Sequence, residues 1–184
     1  MTMRYDAGEV ITAMVTPFNE KREIDYPAVE KLARHLAESG SDAILVAGTT
    51  GESPTLTHEE EYELLYAVKG TVSGDAKIIM GAGSNSTRTA IDVTKKVESL
   101  GADAILSVVP YYNKPNQQGM IEHFGAIARS TDLPIILYNI PSRTGVNMLP
   151  QTVAFLAKEY SNIVALKQSN PDLDLISEFK AQCP

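Results

Sequence analysis

The plan of the chain is clearest in the segment Pro134-Ile135-Ile136-Leu137-Tyr138-Asn139-Ile140, which is followed at once by Pro141-Ser142-Arg143-Thr144-Gly145. The first part is a nearly continuous apolar run, as expected for a strand covered on both faces in a parallel sheet. The second part contains Pro and Gly among polar residues, which is typical of a loop. The sequence therefore predicts a buried strand whose carboxyl end carries a loop with hydroxyl groups and one arginine.

Five further runs of the same kind lie on either side of this segment. Stretches of helical period separate them, and the strand centres recur about every 30 residues, which is typical of βα units. The predicted strands cover residues 9–18, 43–48, 77–83, 104–110, 134–140 and 163–169. No linker or low-complexity segment interrupts the alternation, so we predict one α/β domain over residues 1–184.

Two architectures accommodate six βα units. A doubly wound parallel sheet fits a chain of 184 residues, whereas a (β/α)₈ barrel built from such units needs about 250 residues. Length alone favours the open sheet. The chain ends as a sixth helix finishes, however, which is also how a barrel cut after six units would look.

Local signals mark where the helices begin and end. Asp25 precedes a Tyr-Pro opening, and Thr57 and Glu60 have the spacing of a capping box. Asn170 before Pro171 predicts the start of the last helix. Three glycines are predicted to follow helix ends, namely Gly40, Gly70 and Gly101.

The composition excludes several classes of function. With 16 Lys and Arg against 23 Asp and Glu, the net charge is -7, so the chain lacks the basic surface that nucleic acids require. Its apolar runs are far shorter than the roughly 20 residues that span a membrane. It begins without a secretory signal, and its single cysteine cannot form an internal disulfide. We expect a cytoplasmic protein without a metal site, because the three histidines fall on separate predicted helices: His35, His58 and His123.

Polar residues follow several predicted strands, where the functional groups of parallel α/β proteins collect. After the second strand, Gly48-Thr49-Thr50-Gly51-Glu52-Ser53 suits a carboxylate or phosphate, or else forms a tight turn with hydroxyl caps. After the third, Gly81-Ala82-Gly83 is a weak match to a dinucleotide-binding loop. Tyr112 and Tyr138 at strand ends can relay protons or lie there as amphipathic plugs. Arg143 can hold a carboxylate or remain a surface charge.

Lys167 is the least expected residue of the sequence. It lies inside the apolar run Ile163-Val164-Ala165-Leu166-Lys167, where an ammonium that points to the interior carries a desolvation penalty. A lysine there must be paired or neutral. A neutral amine is the nucleophile that forms Schiff bases with carbonyl substrates, and the alternative is a structural ion pair.

Four spaced motifs together resemble the dihydrodipicolinate synthase family, in order through essentially the whole chain. They are Gly48-Thr49-Thr50-Gly51-Glu52, Pro110-Tyr111-Tyr112-Asn113, the segment 138–145, and Lys167. The family fold is a (β/α)₈ TIM barrel followed by a small helical domain. The resemblance therefore implies an α/β barrel truncated after about six βα units and lacking that C-terminal domain. Because such a sheet keeps two unpaired edges, we expect the isolated polypeptide to be marginally stable.

The resemblance also implies a reaction. Lys167 would form a Schiff base with pyruvate, and the resulting enamine would add to aspartate semialdehyde to give 4-hydroxy-tetrahydrodipicolinate in lysine biosynthesis. No separate cofactor is implied. Tyr138, Thr49 and Tyr112 would form a proton relay, with Tyr112 reaching into the site of a neighbouring subunit in a homo-oligomer.

By the same resemblance, two further residues would bind substrate. Thr50 would bind the carboxylate of pyruvate, and Arg143 would bind the carboxylate of the semialdehyde. The related N-acetylneuraminate lyases typically have Ser-Thr in the first motif and leucine at the position of Arg143. Thr49 and Arg143 therefore favour the synthase over another pyruvate-dependent aldolase. The intact site residues of all four motifs argue against an inert barrel fragment, whereas the part of the barrel that this sequence does not include argues for one. The chain departs from the family pattern at Gln168, where an acidic residue is common.

A lysine-effector site is a further implication of the resemblance. Relatives that lysine inhibits often have a histidine at the position of Glu61 and a glutamate at that of Thr89, so we predict weak or absent inhibition. Four residues do fit the effector pattern: Ser53, His58, Asn85 and Tyr111.

Overall fold

The computed structural model describes residues 5–72 and 74–183, and its strands form one six-stranded sheet. The first three strands and the last two are paired in parallel. The strands are β1 (Ile11–Ala13), β2 (Ala43–Val46), β3 (Lys77–Gly81), β4 (Ala104–Val108), β5 (Ile135–Asn139) and β6 (Ile163–Gln168).

Helices connect and follow these strands, so that each βα unit returns the chain to the same end of the sheet. They are α1 (Tyr26–Glu38), α2 (His58–Val72), α3 (Thr87–Ser99), α4 (Gln117–Ala128), α5 (Pro141–Thr144), α6 (Pro150–Glu159) and α7 (Leu173–Gln182), with a 3₁₀ turn at Ser53–Thr55.

The order of the strands decides between the two predicted architectures. They hydrogen-bond in chain order, from β1 to β6. A doubly wound sheet reverses direction after its first strands and places them in the middle, whereas a (β/α)₈ barrel keeps chain order throughout. The length-based preference for an open doubly wound sheet is therefore wrong, and the barrel expected from the resemblance is confirmed.

The described residues form two compact units. The first, called the N-terminal unit, comprises residues 6–72, 74–81 and 96–105, and the second, called the C-terminal unit, comprises residue 5 with residues 82–95 and 106–183. Each has fully buried apolar side chains of its own, such as Leu64 and Leu65 in the first and Phe124 and Leu137 in the second. The single domain predicted over residues 1–184 stays a prediction.

The first and last strands differ from the prediction. β1 covers three residues instead of the ten of 9–18, and after it Phe18 and Ile24 form an isolated antiparallel bridge. Asn19 folds the chain back between them, because its side chain accepts from the backbone nitrogens of Lys21 and Glu23. β1 and β6 are only partly buried, whereas β5 is buried throughout, so covering on both faces is confirmed for β5 and wrong for β1 and β6.

Two of the three predicted helix starts are confirmed. Asp25 accepts from the backbone nitrogen of Ala28, and Thr57 and Glu60 form the reciprocal capping box, with distances of 3.2 and 2.8 Å. The last helix begins later than predicted. Its cap is Asp172, which accepts from Leu175, while the Asn170 side chain forms a turn with the Asp172 nitrogen.

The glycines serve different purposes. Gly40 and Gly101 follow α1 and α3 with φ of 96° and 83°, as predicted for helix ends, but Gly70 lies inside α2. A methyl group on Gly81 would overlap the carbonyl oxygen of Ala47, and one on Gly83 would overlap the nitrogen of Val108. This close approach of backbones accounts for both glycines of the Gly-Ala-Gly motif without a dinucleotide.

Substituting Gly81 tests this explanation. Gly81→Ala should lower the free energy of unfolding by about 2 kcal/mol, because neighbouring backbone must shift to admit the methyl group. Gly70→Ala is the matched control. It adds the same methyl group in open space inside a helix and should stabilise the protein by about 1 kcal/mol. Urea unfolding followed by circular dichroism measures the stability of both variants. An unfolding midpoint of Gly81→Ala equal to that of the unsubstituted protein would contradict the explanation.

Candidate active site

The C-terminal unit brings two predicted site residues together at the carboxyl ends of β5 and β6. Tyr138 and Lys167 are register partners on these parallel strands, so their side chains project from the same face of the sheet. The Lys167 Nζ lies 4.3 Å from the centroid of the Tyr138 ring. This distance is within the range of a cation–π interaction, and it also brings a phenol close to the amine.

Lys167 is less enclosed than its apolar run suggests. The side chain is half-buried, and Ala165 two residues earlier is exposed. The reason is the position of β6 at the end of the sheet, where β5 is its strand neighbour. Among residues 5–72 and 74–183, no carboxylate forms an ion pair with Lys167. The predicted structural ion pair is therefore absent from the described part of the chain, and a neutral amine stays a prediction.

Tyr138 is almost fully buried, at 5% exposure. Its backbone oxygen accepts from the nitrogen of Val109 at 2.9 Å, which joins the end of β5 to the end of β4. The segment that follows β4 carries Tyr111 and Tyr112, and this bond therefore sets where their loop begins.

Tyr112 projects from this loop, with 90% of its surface exposed. Its φ of 71° is in the left-handed region, which is uncommon for a residue other than glycine. The loop is held by Asn113, whose side chain donates to the backbone oxygen of Asn85 at 3.0 Å. A strained, exposed tyrosine on an anchored loop is typical of a functional or contact residue.

Arg143 lies on α5, directly after β5, and its side chain is exposed. The guanidinium has no acceptor within the described residues, so it is available to an anion from solution. Thr144 holds this short helix in place. It is 2% exposed, and its hydroxyl donates to the backbone oxygen of Ile140 or Val146.

Thr49 and Thr50 belong to the N-terminal unit, where they follow β2 and are exposed. Their turn is closed by a bond from the Gly51 nitrogen to the Gly48 oxygen at 3.0 Å. The buried Thr16 hydroxyl holds it from the other side by donating to the Gly51 oxygen at 2.6 Å. Two hydroxyl groups are thus presented to solvent on a rigid turn.

The predicted effector residues are divided between the units. Ser53 and His58 lie in the N-terminal unit and both bind Glu61, at 2.6 and 3.0 Å. Glu61 is 4% exposed, so its carboxylate is the buried centre of this cluster. Asn85 and Tyr111 lie in the C-terminal unit.

One buried polar residue was missed at sequence level. Asn139 is fully buried beside Tyr138, and its side chain bonds to Asn147, Met148 and Gln168. The available signal was an amide at the end of an otherwise apolar strand, where a polar group needs partners.

The described part of the chain shows neither a metal-binding cluster nor a membrane-spanning helix. Over residues 5–72 and 74–183, no group of three or more His, Cys, Asp or Glu side chains could hold a metal ion. No helix in those ranges has the length and apolar character needed to cross a membrane.

Parallel strands in chain order, each followed by a helix and with polar loops at the strand ends, define this chain as part of a (β/α)₈ barrel. The sequence model of the Dihydrodipicolinate synthetase family matches residues 6–184. The chain belongs to this family, as the four motifs indicated.

Close relatives agree with this assignment. The chain is 57% identical over 180 residues to the 4-hydroxy-tetrahydrodipicolinate synthase of Thermosynechococcus vestitus, covering 97% of this chain and 60% of that protein. The DHDPS of Cyanidioschyzon merolae, a crystal structure with lysine bound, aligns with a TM-score of 0.95 and 55% identity, over 97% of this chain and 61% of that one.

A third relative is the chloride-inhibited dihydrodipicolinate synthase of Acinetobacter baumannii, whose structure is a complex with pyruvate. It aligns with a TM-score of 0.91 and 41% identity, over 96% of this chain and 62% of that one. The chain thus spans about three fifths of the length of the relatives that it matches. Its described residues contain six βα units of the barrel.

Proposed function

We propose that this chain carries the Schiff-base lysine of a 4-hydroxy-tetrahydrodipicolinate synthase, which condenses pyruvate with L-aspartate 4-semialdehyde in lysine and diaminopimelate biosynthesis. The observation that carries the proposal is the position of the Lys167 amine, 4.3 Å from the Tyr138 ring at the ends of paired strands. Family membership and the pyruvate of the Acinetobacter relative support it.

The proposed chemistry begins at Lys167. Its neutral amine adds to the ketone carbon of pyruvate, and loss of water leaves an imine. A proton then leaves the methyl carbon to give an enamine, and this carbon attacks the aldehyde carbon of the semialdehyde. The amine of the adduct finally attacks the imine carbon, which closes the ring and releases Lys167.

The proton transfers are assigned to hydroxyl groups. The Tyr138 ring lies 4.3 Å from the amine, and Tyr138 is therefore proposed to carry protons to and from the imine and its water. Thr49 and the Tyr112 of a second subunit would connect Tyr138 to solvent. The 90% exposure of Tyr112 and its strained backbone support a contact with another subunit, as in a homo-oligomer.

Two groups are proposed to bind the substrate carboxylates. Thr50 would hold that of pyruvate through its hydroxyl and the nearby backbone nitrogens. Arg143, which is exposed and has no acceptor among the described residues, would hold that of the semialdehyde in a bidentate pair. No metal and no separate cofactor enters these steps, and a cytoplasmic location stays a prediction.

Trapping the imine tests the proposal. The chain is incubated with pyruvate and reduced with borohydride, and its intact mass and peptide map are measured. One reduced pyruvate on Lys167 is the expected result. Failure to form an adduct in a folded sample would instead indicate an inert barrel fragment. An adduct that does not react on with aspartate semialdehyde would indicate another pyruvate-dependent aldolase.

We also propose that L-lysine inhibits weakly or not at all. Glu61 supports this, because its buried carboxylate already engages the side chains of Ser53 and His58. Adduct formation measured with and without L-lysine should therefore give nearly equal rates, and Glu61→His should make the rate more sensitive to lysine. Strong inhibition of the unsubstituted chain would overturn this expectation.

A further inference from the structure

Asn139 is the most highly connected buried polar side chain at the carboxyl end of β5. Its Nδ2 donates to Asn147 Oδ1 at 2.7 Å and to Gln168 Oε1 at 2.9 Å, while its Oδ1 accepts from the Met148 nitrogen at 3.1 Å. Since the residue is fully buried, removing a partner leaves an unsatisfied polar group on Asn139.

These bonds close the loop that follows β5. The Met148 nitrogen returns to Asn139 after nine residues, so that α5 and its Arg143 lie on a closed loop. Gln117 of α4 holds the same loop from its other side. Its Nε2 donates to the Asn147 oxygen at 2.9 Å, and its Oε1 accepts from the Leu149 nitrogen at 3.1 Å. The Asn139 side chain is therefore itself firmly placed.

Gln168 connects this fixed side chain to the strand that carries Lys167. Asn139 and Gln168 are register partners, one position beyond Tyr138 and Lys167, and they face the opposite side of the sheet. The pairing of β5 with β6 is irregular earlier, because Ile135 pairs with Ile163 but Ile136 pairs with Ala165. The register at Lys167 thus depends on contacts that follow this irregularity, and the Asn139–Gln168 bond is one of them.

We infer that Asn139 is a positioning residue for Lys167, acting through Gln168 to keep the amine in register with the Tyr138 ring. This inference rests on the proposed function, since it assigns a purpose to the placement of the Schiff-base lysine. Asn139 itself touches neither the amine nor the substrate. Through Gln168 it holds the carboxyl end of β6 against β5, which is the strand neighbour of β6 within the described chain.

The test compares the kinetics of adduct formation in three variants. Asn139→Leu removes all the bonds of the side chain, and Gln168→Leu removes only the side-chain bond between Asn139 and Gln168. Asn162→Leu is the matched control. Asn162 precedes β6 at its other end and donates to the backbone oxygens of Ala128 and Thr131, both at 3.0 Å, so its loss weakens the fold without touching the Lys167 end.

The rate of borohydride-trapped adduct is measured against pyruvate concentration, under conditions where circular dichroism finds each variant folded. Asn139→Leu should lower the limiting rate by about 10- to 100-fold. The pyruvate concentration for half-maximal rate should stay unchanged, because the proposed carboxylate site at Thr50 is intact. Gln168→Leu should also lower the limiting rate, and it serves as the test if Asn139→Leu does not fold. Asn162→Leu should lower thermal stability alone.

Wild-type rates in both Asn139→Leu and Gln168→Leu would overturn the inference. An equal loss of rate in Asn162→Leu would also overturn it, because a general weakening of the fold would then be sufficient. These outcomes leave the proposed function intact, since the unsubstituted chain still forms the adduct. If the unsubstituted chain forms no adduct, the proposed function fails first and the inference falls with it.

Discussion

Lys167→Met should abolish the pyruvate adduct completely. Methionine keeps the length and the apolar stem of the side chain but has no amine, so that no imine can form and borohydride has nothing to reduce. The substitution should have little effect on stability, because Lys167 has no carboxylate partner within the described residues and is only half-buried. Intact mass after reduction measures the adduct directly.

Lys158→Met is the control for this experiment. Lys158 lies on α6 of the same unit and is exposed, so Lys158→Met removes a lysine without changing the strand ends. It should retain the full adduct. If Lys167→Met still gains one pyruvate, the reactive amine is another lysine, and the assignment of Lys167 is wrong whatever the activity of the chain.

Acid should destabilise the protein through His123. This residue of α4 is 4% exposed, its Nδ1 lies 2.8 Å from the Thr87 hydroxyl of α3, and its Nε2 has no partner within the described residues. Burial of the ring lowers the pKa of His123 from 6.5 to about 4. The folded protein therefore keeps the ring neutral at pH values where the unfolded chain already binds a proton.

The sign of the effect follows from this difference in proton binding. Above pH 6.5 the ring is neutral in both states, and its contribution to stability is complete. As the pH falls from about 6.5 to about 4, the free energy of unfolding should decrease by about 3 kcal/mol through this residue alone. Urea unfolding at a series of pH values measures the decrease.

A variant isolates the histidine from the carboxylates that also titrate in acid. His123→Gln keeps a polar side chain without a titrating ring, so its stability should vary less with pH between 6.5 and 4 than that of the unsubstituted protein. His35→Gln removes an exposed histidine on α1 and should leave the pH dependence of the free energy of unfolding unchanged. Parallel pH curves for the unsubstituted protein and His123→Gln would exclude the buried ring as the cause.

Much of the fold was predictable because its signals are local. The capping box at Thr57 and Glu60 needs only residues three apart, and it is present in the structure. β5 is within one residue of its prediction at each end, because its whole apolar run is buried. The failures at β1 and Gly70 have a physical reason too. β1 ends at Ala13, and the chain then continues to a turn at Asn19 instead of extending the strand, while a helix tolerates a glycine when packing holds its neighbours.

The candidate site was predictable in its residues more than in its geometry. Lys167 was identified as a charge inside an apolar run. Tyr138 and Arg143 were identified by their places at and after a strand end, where parallel strands collect functional groups. The exposure of Lys167 was not predicted, because a run of apolar residues does not indicate which strand lies at the edge of the described sheet. Asn139 was missed because its partners are distant in sequence.

The amino-acid sequence by itself determined the alternation of strands and helices, most of the caps, the family, and which polar side chains follow each strand. Only the tertiary structure decided that strands join in chain order, that Tyr138 stands beside Lys167, and that Asn139 ties β5 to β6. Helices and caps arise from bonds between residues a few positions apart, so a short window of sequence contains them. The register of two strands is set by bonds across the fold. One extra residue, such as Val164 of β6 opposite the step from Ile135 to Ile136, moves every later partner.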